Sequence, residues 1–578
     1  MNGADFIAEF LKEKSIKNIF TVTGGACAFI IDAIAKCKNL NYVCFQHEQA
    51  AAMAADAVWR IKKTPGVTLV TSGPGATNLI TGIACSYFDS IPSLHITGQV
   101  NLNESAKLKN LDVRQIGFQE TNIVDMVKPI TKYSVKIETI NSLPEEFNKA
   151  YNIATSGRMG PVLLDVPMNI QQEKFVKKRI NLKSNSYKQE FNYDELSDSI
   201  FGKLKKSSRP LILFGAGVGL AGIEKKLTDW MKRSNIPFVS SWGGISYFDH
   251  RLDNYCGHIG VYGNRGANFI IQNCDYLLVL GSRLDSRQRS SNENSFAPKA
   301  SIDVIDIDDQ ELKKFQNSNY SLFQLDLQYF PRVLDRIIFK LEKSDWESYI
   351  KEMKDKYYDK DLSQFASNKD SLSPYSVVKK INSLIHDNAI VVSDCGANLC
   401  WVYQIFRRTQ HKLFTAAGHS PMGYTLPAMI GAALSSKEHQ VIGFIGDGGF
   451  QMNIQELQTI VHYQLNTKII VLNNFGYGII KQFQDSYFDS RYEASGKGYS
   501  QPDFRKIANA FNIKYYSIKS ISDLKIKMFE NQSAAIVDVF LDPNTLIEPK
   551  IELGHPINNQ FPYLGNEERK KGNKFLNE

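Results

Sequence analysis

The sequence has no CxxC pair, no histidine cluster at zinc spacing and no run of about 20 apolar residues. The first two absences exclude a zinc site of the usual ligand spacing. Eight cysteines in this pattern fit a reducing cytosol better than a disulfide framework. The third absence leaves nothing to span a bilayer. An excess of one charge is also missing: 68 Lys and Arg against 60 Asp and Glu leave a net +8 that forms no block. A solvated surface explains that balance better than a nucleic-acid footprint. The opening MNGADFIAEFLKEK reads as a charged amphipathic helix and not as a secretory leader, so a cytoplasmic protein is expected. What remains is an ordinary globular composition, 43% hydrophobic and 22% charged, in a chain of 578 residues that needs more than one domain.

The most informative stretch is VIGFIGDGGFQMNIQELQTIVHYQLNTKIIVLNNFGYG, residues 441–478. VIGFI is strand-like, and Gly446, Asp447, Gly448 and Gly449 interrupt it. MNIQELQTIVHYQ has helical spacing, and KIIVL is a second strand that ends at Asn473 and Asn474. Strand, glycine turn, helix and strand make a βαβ unit of a parallel sheet. The glycines let backbone N–H groups approach a phosphate at a helix N-terminus. Neighbouring parallel strands end on one edge, so Asp447 and Asn474 can converge there as hard oxygen ligands suited to magnesium beside a diphosphate. GDG alone is a common tight turn; followed at this distance by NN, between two such strands, it is specific.

Elsewhere the pattern alternates strand and helix in three blocks, which implies parallel sheets with helices on both faces. Strands are expected at 42–46, 67–75, 93–98 and 160–167 in the first block and at 211–219, 276–285 and 301–308 in the second. The polar residues 171–199 read as a linker, and the charge-dense residues 340–373 as a helix and crossing linker. GAGVG in the second block lacks the full GxGxxG context, so a purely structural turn stays open beside a nucleotide site. The tail, residues 546–578, is expected to lie extended over the surface or to reach a neighbouring subunit. Glu48 follows a strand and opens an alanine-rich helix, which puts a carboxylate at the sheet edge where open α/β folds bind ligands. By itself it reads more readily as a helix-opening carboxylate at a helix dipole.

Together, Glu48 in HEQAAAMAADA, TSGPGATNLITGIACSYFDSIPSLHITGQV, RQIGFQE, GPVLLDVP, PMGYTLPAMIGA and the GDG…NN stretch resemble the thiamine diphosphate enzymes of the acetolactate synthase (acetohydroxyacid synthase) family, in order, over residues 1 to about 540. The resemblance implies an α/β fold of three doubly wound parallel-sheet domains: pyrimidine-binding (1–175), middle (195–345) and diphosphate-binding (374–545), then the tail. It implies a homodimer or homotetramer with each active site between subunits, Glu48 coming from one and Asp447 and Asn474 from the other. Glu48 would hydrogen-bond the aminopyrimidine of thiamine diphosphate. Asp447, Asn474 and the Gly476 carbonyl would hold Mg2+. Met422 would bend the coenzyme, with an ordinary core methionine as the alternative. The Ser420 carbonyl would accept from the coenzyme's exocyclic nitrogen, although the family more often has glycine there. Gln119 would stand beside the reacting centre. Further coenzyme contacts are implied at Gly24, Gly25, Pro74, Asn78, Gly396, Asn398, Gly446, Gly448, Gly449 and Tyr477.

The implied reaction is decarboxylation of a 2-keto acid, pyruvate by resemblance, and transfer of the two-carbon unit to a second carbonyl. Simple decarboxylases of this type carry adjacent histidines, and no His-His occurs here, which favours carboligation. The rivals are a non-ligating decarboxylase or lyase and a catalytically silent binding protein of the same fold. The acceptor pocket departs from the family: Phe483 replaces a tryptophan, Ser286 an aspartate before Arg287, and Ala397 and Asn398 a glutamine–histidine pair. Losing the indole widens or reshapes that pocket. The tail is similar to those of family members from surface-sugar pathways, so the acceptor is a keto acid or a nucleotide-linked keto-sugar. For the middle domain the resemblance implies FAD, at segments containing Arg158, Gly215, Gly217, Arg283 and Asp306, with an empty or ADP-holding domain as the alternative.

Overall fold

Strands that are apolar at every position can be buried on both faces, as in parallel sheets covered by helices. PLILF and YLLVL are of this kind, GVTLV and IVVS are apolar but for one small hydroxyl residue each, and all four are buried along their whole length. In the computed structural model, which describes residues 1–106, 109–176, 191–315, 319–342, 344–358 and 372–576, they lie inside three six-stranded sheets. Every pairing described within those sheets is parallel.

The first sheet holds β1 (Asn18–Val22), β2 (Asn41–Cys44), β3 (Gly66–Val70), β4 (Ser93–Gln99), β5 (Tyr133–Lys136) and β6 (Val162–Pro167), in the order β2-β1-β3-β4-β6-β5. The middle sheet holds β7 (Pro210–Phe214), β8 (Phe238–Ser240), β9 (Tyr255–His258), β10 (Tyr276–Leu280), β11 (Ser301–Asp306) and β12 (Tyr320–Gln324), ordered β12-β11-β10-β7-β8-β9. The third holds β13 (Ile390–Ser393), β14 (Lys412–Phe414), β15 (Val441–Gly446), β16 (Thr467–Asn473), β17 (Lys514–Ile518) and β18 (Ala535–Phe540), ordered β14-β13-β15-β16-β18-β17. The outer two sheets thus share one topology. The middle sheet has the dinucleotide-binding order, with its switch point between β7 and β10.

The likeness of the outer sheets reaches single side chains. Asp165 and Asp538 are both the fourth residue of their strands, β6 and β18. Each accepts from the amide that ends the neighbouring strand, Gln99 Nε2 at 3.0 Å and Asn473 Nδ2 at 3.1 Å. The two domains meet through helices Glu48–Lys62 and Thr425–Ser435, each following the second strand of its sheet. Small residues let these helices touch backbone to backbone: a Cβ at Gly431 would lie 2.3 Å from the Ala54 carbonyl oxygen.

Two sequence expectations need correction. The polar stretch 171–199 is not all linker, because helix Tyr193–Lys206 begins inside it, capped by Asn192 and burying Leu196, Ile200 and Leu204; residues 177–190 of that stretch lie outside the described residues. The helix expected in the charge-dense stretch 340–373 is present as Asp345–Tyr357, and residues 343 and 359–371 of that stretch lie outside the described residues as well. The tail is not loosely extended. It pairs β19 (Lys550–Ile551) with β20 (Gln560–Phe561), adds helix Asn566–Gly572, and buries Ile547, Ile557 and Phe575. Arg265 fixes it by donating to the carbonyls of Gln560 and Pro562. Among the described residues, no helix is long and apolar enough to cross a membrane.

One buried group gives the fold a pH signature. His95 in β4 has no exposure and sits between Thr68 Oγ1 at 2.8 Å and Ser93 Oγ at 2.9 Å. Burial holds its pKa down at about 3 against an ordinary 6.5. The unfolded chain therefore takes the proton first, and stability from this residue is lost as pH falls below about 6.5, at about 1.4 kcal/mol per pH unit. His95→Gln is expected to flatten the acid limb of the stability–pH curve by that slope, measured by denaturant unfolding between about pH 6.5 and pH 4.

Candidate active site

The third sheet builds one wall of a cavity of about 610 Å³. β15 ends at Gly446, and the glycine segment is not a turn: Asp447 is the first residue of helix Asp447–Met452, which stops at Asn453 before helix Leu457–His462. Asp447 is 1% exposed, and its Oδ2 accepts the Gly476 N–H at 2.9 Å. Burial outweighs its hydrogen bonds from Tyr499 and Gly476 and pushes its pKa up to about 6. Asn474, just past β16, is 3% exposed, and its Nδ2 has no hydrogen-bond partner. The Gly476 carbonyl takes only the Gly478 N–H, at 3.1 Å, and keeps a second lone pair.

A dry carboxylate, the neighbouring Asn474 side chain and a spare carbonyl can supply oxygen ligands to a cation, while the unpartnered Asn474 Nδ2 is a hydrogen-bond donor that calls for an acceptor. No cluster of three or more His, Cys, Asp or Glu occurs among the described residues, so a thiolate- or imidazole-rich metal site has no rival claim here. Gly446, Gly448, Gly449 and Tyr477 line the same wall. A Cβ at Gly448 would lie 2.4 Å from Tyr477 Cε1 and 3.2 Å from Met422 Cε. Gly396, with φ +86°, starts helix Ala397–Ile405 and opens its N-terminus onto the cavity, a second source of anion-binding N–H groups. Asn398 also lines the cavity, but its side chain is tied to its own turn through Ser393 Oγ and the Cys395 carbonyl.

Ser420 and Met422 reach the cavity on the segment between β14 and helix Thr425–Ser435. Ser420 has φ +54° and Gly423 φ +82°, so the segment is sharply turned. Asp394, 1% exposed, anchors its end by accepting the N–H groups of Gly423 and Tyr424 at 2.9 and 3.0 Å. Burial pushes the Asp394 carboxyl up to about 7 against those bonds.

The opposite wall carries Arg287, Phe483, Tyr487 and Tyr262. Phe483 is 42% exposed, with its ring 4.7 Å from that of Tyr487. Residues 550–554 of the tail complete this wall. Nothing in their spacing signals the placement; only the fixed path of the tail reveals it. Lys550 Nζ donates to Ser486 Oγ at 3.0 Å, and the Leu553 N–H to the Tyr487 hydroxyl at 2.8 Å.

Glu48 belongs to a second cluster, at the carboxyl edge of the first sheet. It opens its helix at the turn capped by His47, whose Nδ1 accepts the Gln49 N–H at 3.1 Å. Asn78 Nδ2 donates to Glu48 Oε2 at 2.9 Å. Pro74 starts the short helix Pro74–Thr77, and Cβ atoms at Gly24 and Gly75 would both crowd Thr71. Gly25 follows Gly24 at the end of β1, and Gln119, with φ +65°, packs against Gly73. None of Glu48, Asn78, Pro74, Gly24, Gly25 or Gln119 lines the cavity that holds Asp447. Within one chain the two halves of the predicted site stay apart.

A larger cavity, about 1340 Å³, lies at the switch point of the middle sheet and shares Tyr262, Ser286, Arg287, Gly396, Ser420 and Ile479 with the first. Arg158, Gly217, Arg283 and Asp306 line it. Gly215 does not; it serves close packing, since a Cβ there would lie 2.0 Å from the Gly281 carbonyl oxygen. Arg158 donates to Asp308 at 2.6 Å and Glu311 at 3.0 Å. Burial raises the Asp306 carboxyl above its ordinary value. Burial works the same way on Asp308, but the Arg158 guanidinium and backbone N–H groups outweigh it and hold that carboxyl low.

Comparison with known proteins fits this layout. The family model for the thiamine pyrophosphate enzyme N-terminal TPP binding domain matches residues 1–126, that for the central domain residues 198–325, and that for the C-terminal TPP binding domain residues 394–539. The acetolactate synthase large subunit of Lactococcus lactis is 30% identical over 560 residues, covering 96% of this chain and 95% of the relative. The acetolactate synthase isozyme 2 large subunit of Escherichia coli is 32% identical over 515 residues, 89% of this chain and 90% of the relative. The acetolactate synthase large subunit of the alga Cyanidium caldarium is 31% identical over 551 residues, 91% and 90% of the two chains.

Proposed function

The chain belongs to the thiamine pyrophosphate enzymes, with the acetolactate synthase large subunits as its relatives, and from that premise we propose a carboligase that decarboxylates pyruvate and transfers the two-carbon unit to a second carbonyl. The observation that carries this reading is the convergence of Asp447, Asn474, Gly476, Ser420 and Met422 on one wall of a cavity whose other wall is Arg287, Phe483 and the tail.

Thiamine diphosphate, when bound, supplies a carbon nucleophile able to hold the electron pair that decarboxylation leaves behind. The chain's own residues do the rest. The Asp447 carboxylate, the Asn474 amide oxygen and the Gly476 carbonyl hold Mg2+. Backbone N–H groups at Gly396, Gly448 and Gly449 face the diphosphate. Met422, packed beside Gly448, would bend the coenzyme, and the Ser420 carbonyl would accept a hydrogen bond from its exocyclic nitrogen. Glu48, kept out of water and tied to Asn78, holds a proton at the pyrimidine nitrogen. The two half-sites of one chain are separate, so we propose a homodimer or homotetramer in which the Glu48 cluster of one subunit completes the Asp447 cavity of another. Exposed apolar side chains beside Gln119, among them Phe118 at 87% exposure, support a covered face there.

Arg287 is placed to take the acceptor's anionic group, and Phe483 leaves that side more open than an indole would. Either a keto acid or a nucleotide-linked keto-sugar fits this description. For the larger cavity we propose FAD, on the strength of its size, its place at the switch point and the lining by Arg158, Arg283 and Asp306. All eight cysteines are free thiols, in keeping with a cytoplasmic enzyme.

The test is incubation with labelled pyruvate and a panel of keto acids and nucleotide keto-sugars, read by mass spectrometry. The expected result is a new carbon–carbon-bonded product with at least one acceptor. Aldehyde as the sole product with every acceptor would replace the carboligase with a simple decarboxylase.

A further inference from the structure

Glu456 is a carboxylate with no exposure that nothing above employs. It sits between β15 and β16, and it reaches across to the first domain. Its Oε1 accepts the Gln46 N–H at 3.1 Å, with Oε2 at 3.4 Å, and Thr459 Oγ1 donates to it at 2.6 Å. Gln46 is two residues before Glu48, in the turn that leads from β2 into the Glu48 helix. The Tyr463 hydroxyl, from the same part of the third domain, accepts the Cys44 N–H at 2.8 Å. The turn that presents Glu48 is thus held by groups from the other end of the chain.

The reverse contact exists as well. Asp89 sits between β3 and β4, the same place in the first sheet that Glu456 occupies in the third. Asp89 accepts the Ala417 and Gly418 N–H groups at 2.9 and 2.8 Å, in the turn that leads from β14 to Ser420 and Met422. Arg60 Nη2 neutralises Asp89 at 2.7 Å, and Arg60 Nε reaches Asp56, which also accepts the Tyr424 hydroxyl at 2.5 Å. Each outer domain therefore offers a carboxylate from its third crossover to the backbone that follows the other's second strand. Both recipient turns carry residues assigned above to the coenzyme.

A carboxylate is costly to bury, and one that accepts backbone N–H groups fixes their position with charge-assisted bonds. Thr459 and the Gln46 N–H are the groups that make the burial of Glu456 tolerable, so the bond constrains the turn as much as the carboxylate. We propose that Glu456 and Asp89 are reciprocal positioning residues, Glu456 setting the Glu48 turn and Asp89 setting the segment of Ser420 and Met422. This rests on the coenzyme roles proposed for those residues. Because Glu48 and Met422 would serve different active sites of the assembly, the pair ties the geometry of one site to that of the other through a single chain.

The test compares Glu456→Ala and Glu456→Gln with the wild type in full-length protein. In the apo chain, backbone amide hydrogen exchange should accelerate in the segment containing Gln46 for Glu456→Ala and stay near wild type in the middle domain. With thiamine diphosphate and Mg2+ added, affinity by calorimetry should change little, while deuterium exchange at the coenzyme C2 slows by roughly 10²-fold, the scale expected for a displaced catalytic group. Glu456→Gln, which keeps an oxygen acceptor, should recover most of that rate, and Asp89→Ala carries the test if Glu456→Ala does not fold. Asp89→Ala should slow C2 exchange in the same way. Glu48→Gln is run in parallel. If it abolishes C2 exchange while the folded alanine variants keep the wild-type rate, or if amide protection around Gln46 is unchanged in Glu456→Ala, the positioning role is overturned. If Glu48→Gln itself exchanges at the wild-type rate, the coenzyme role of Glu48 falls instead.

Discussion

Glu48→Gln is expected to bind thiamine diphosphate and Mg2+ with near-wild-type affinity and to slow exchange of the coenzyme C2 proton by about 10² to 10⁴, the usual worth of a positioned acid or base. The two halves of that result have different physical origins. Affinity is assigned to Asp447, Asn474 and Gly476, which lie on another domain and do not touch Glu48. Glutamine has the shape of glutamate, so the buried site need not open a cavity, and its amide oxygen can still accept Asn78 Nδ2, now at 2.9 Å from Glu48. The His47 cap on the Gln49 N–H is untouched, so the helix should start at the same place. What glutamine lacks is a carboxyl that can hold and release a proton at a ring nitrogen. The measurement is C2 hydrogen–deuterium exchange after acid quench, beside calorimetric titration of the coenzyme. A wild-type exchange rate in a variant that binds the coenzyme would remove Glu48 from this role.

The metal and diphosphate half of the site is legible in the sequence because its geometry follows from topology. Asp447 and Asn474 directly follow neighbouring parallel strands, β15 and β16, and such strands must end on one edge. Glu48 is legible only with the resemblance, since a glutamate that opens a helix has a bland explanation in the helix dipole. The separation of the two clusters follows the same division, because no spacing along one chain can say which subunit a neighbour belongs to.

Other features leave a weaker trace or none. Helix Tyr193–Lys206 does carry a signal: Asn192 as cap, then Leu196, Ile200 and Leu204 four apart, hidden by the polar residues around them. The tail reads as loop because its prolines break periodicity, yet Ile557 and Phe575 are buried against the middle domain. Contacts such as Glu456 with Gln46 or Asp89 with Gly418 join side chain to backbone across hundreds of residues, and backbone N–H groups have no sequence identity to match. Gly215 shows the opposite case. Its glycine is legible, but the reason for it is close strand packing and not the cofactor approach expected from the motif.

Asp447→Ala is expected to abolish Mg2+-dependent coenzyme binding while leaving the apo fold intact. Asp447 is the one charged donor beside the neutral Asn474 and Gly476 oxygens, so its removal leaves a site without the charge that offsets dehydration of a divalent cation. Loss of supporting groups around a metal already costs 10- to 100-fold in affinity, and a direct ligand should cost at least about 100-fold. The apo protein should respond differently. Its Asp447 carboxyl is buried and pushed up to about 6, so at neutral pH it is a dry charge held chiefly by the Tyr499 hydroxyl and the Gly476 N–H, with backbone N–H groups at its helix start beside them. Alanine removes that burden along with two hydrogen bonds worth about 1 kcal/mol each, and the terms oppose one another. Denaturant unfolding of the apo variant should therefore lie within about 2 kcal/mol of wild type, while added coenzyme and Mg2+ stabilise only the wild type. Equal stabilisation of both proteins by coenzyme and Mg2+ would place the metal on other residues. Loss of the apo fold would mean that Asp447 organises the turn after β16 and not a cation.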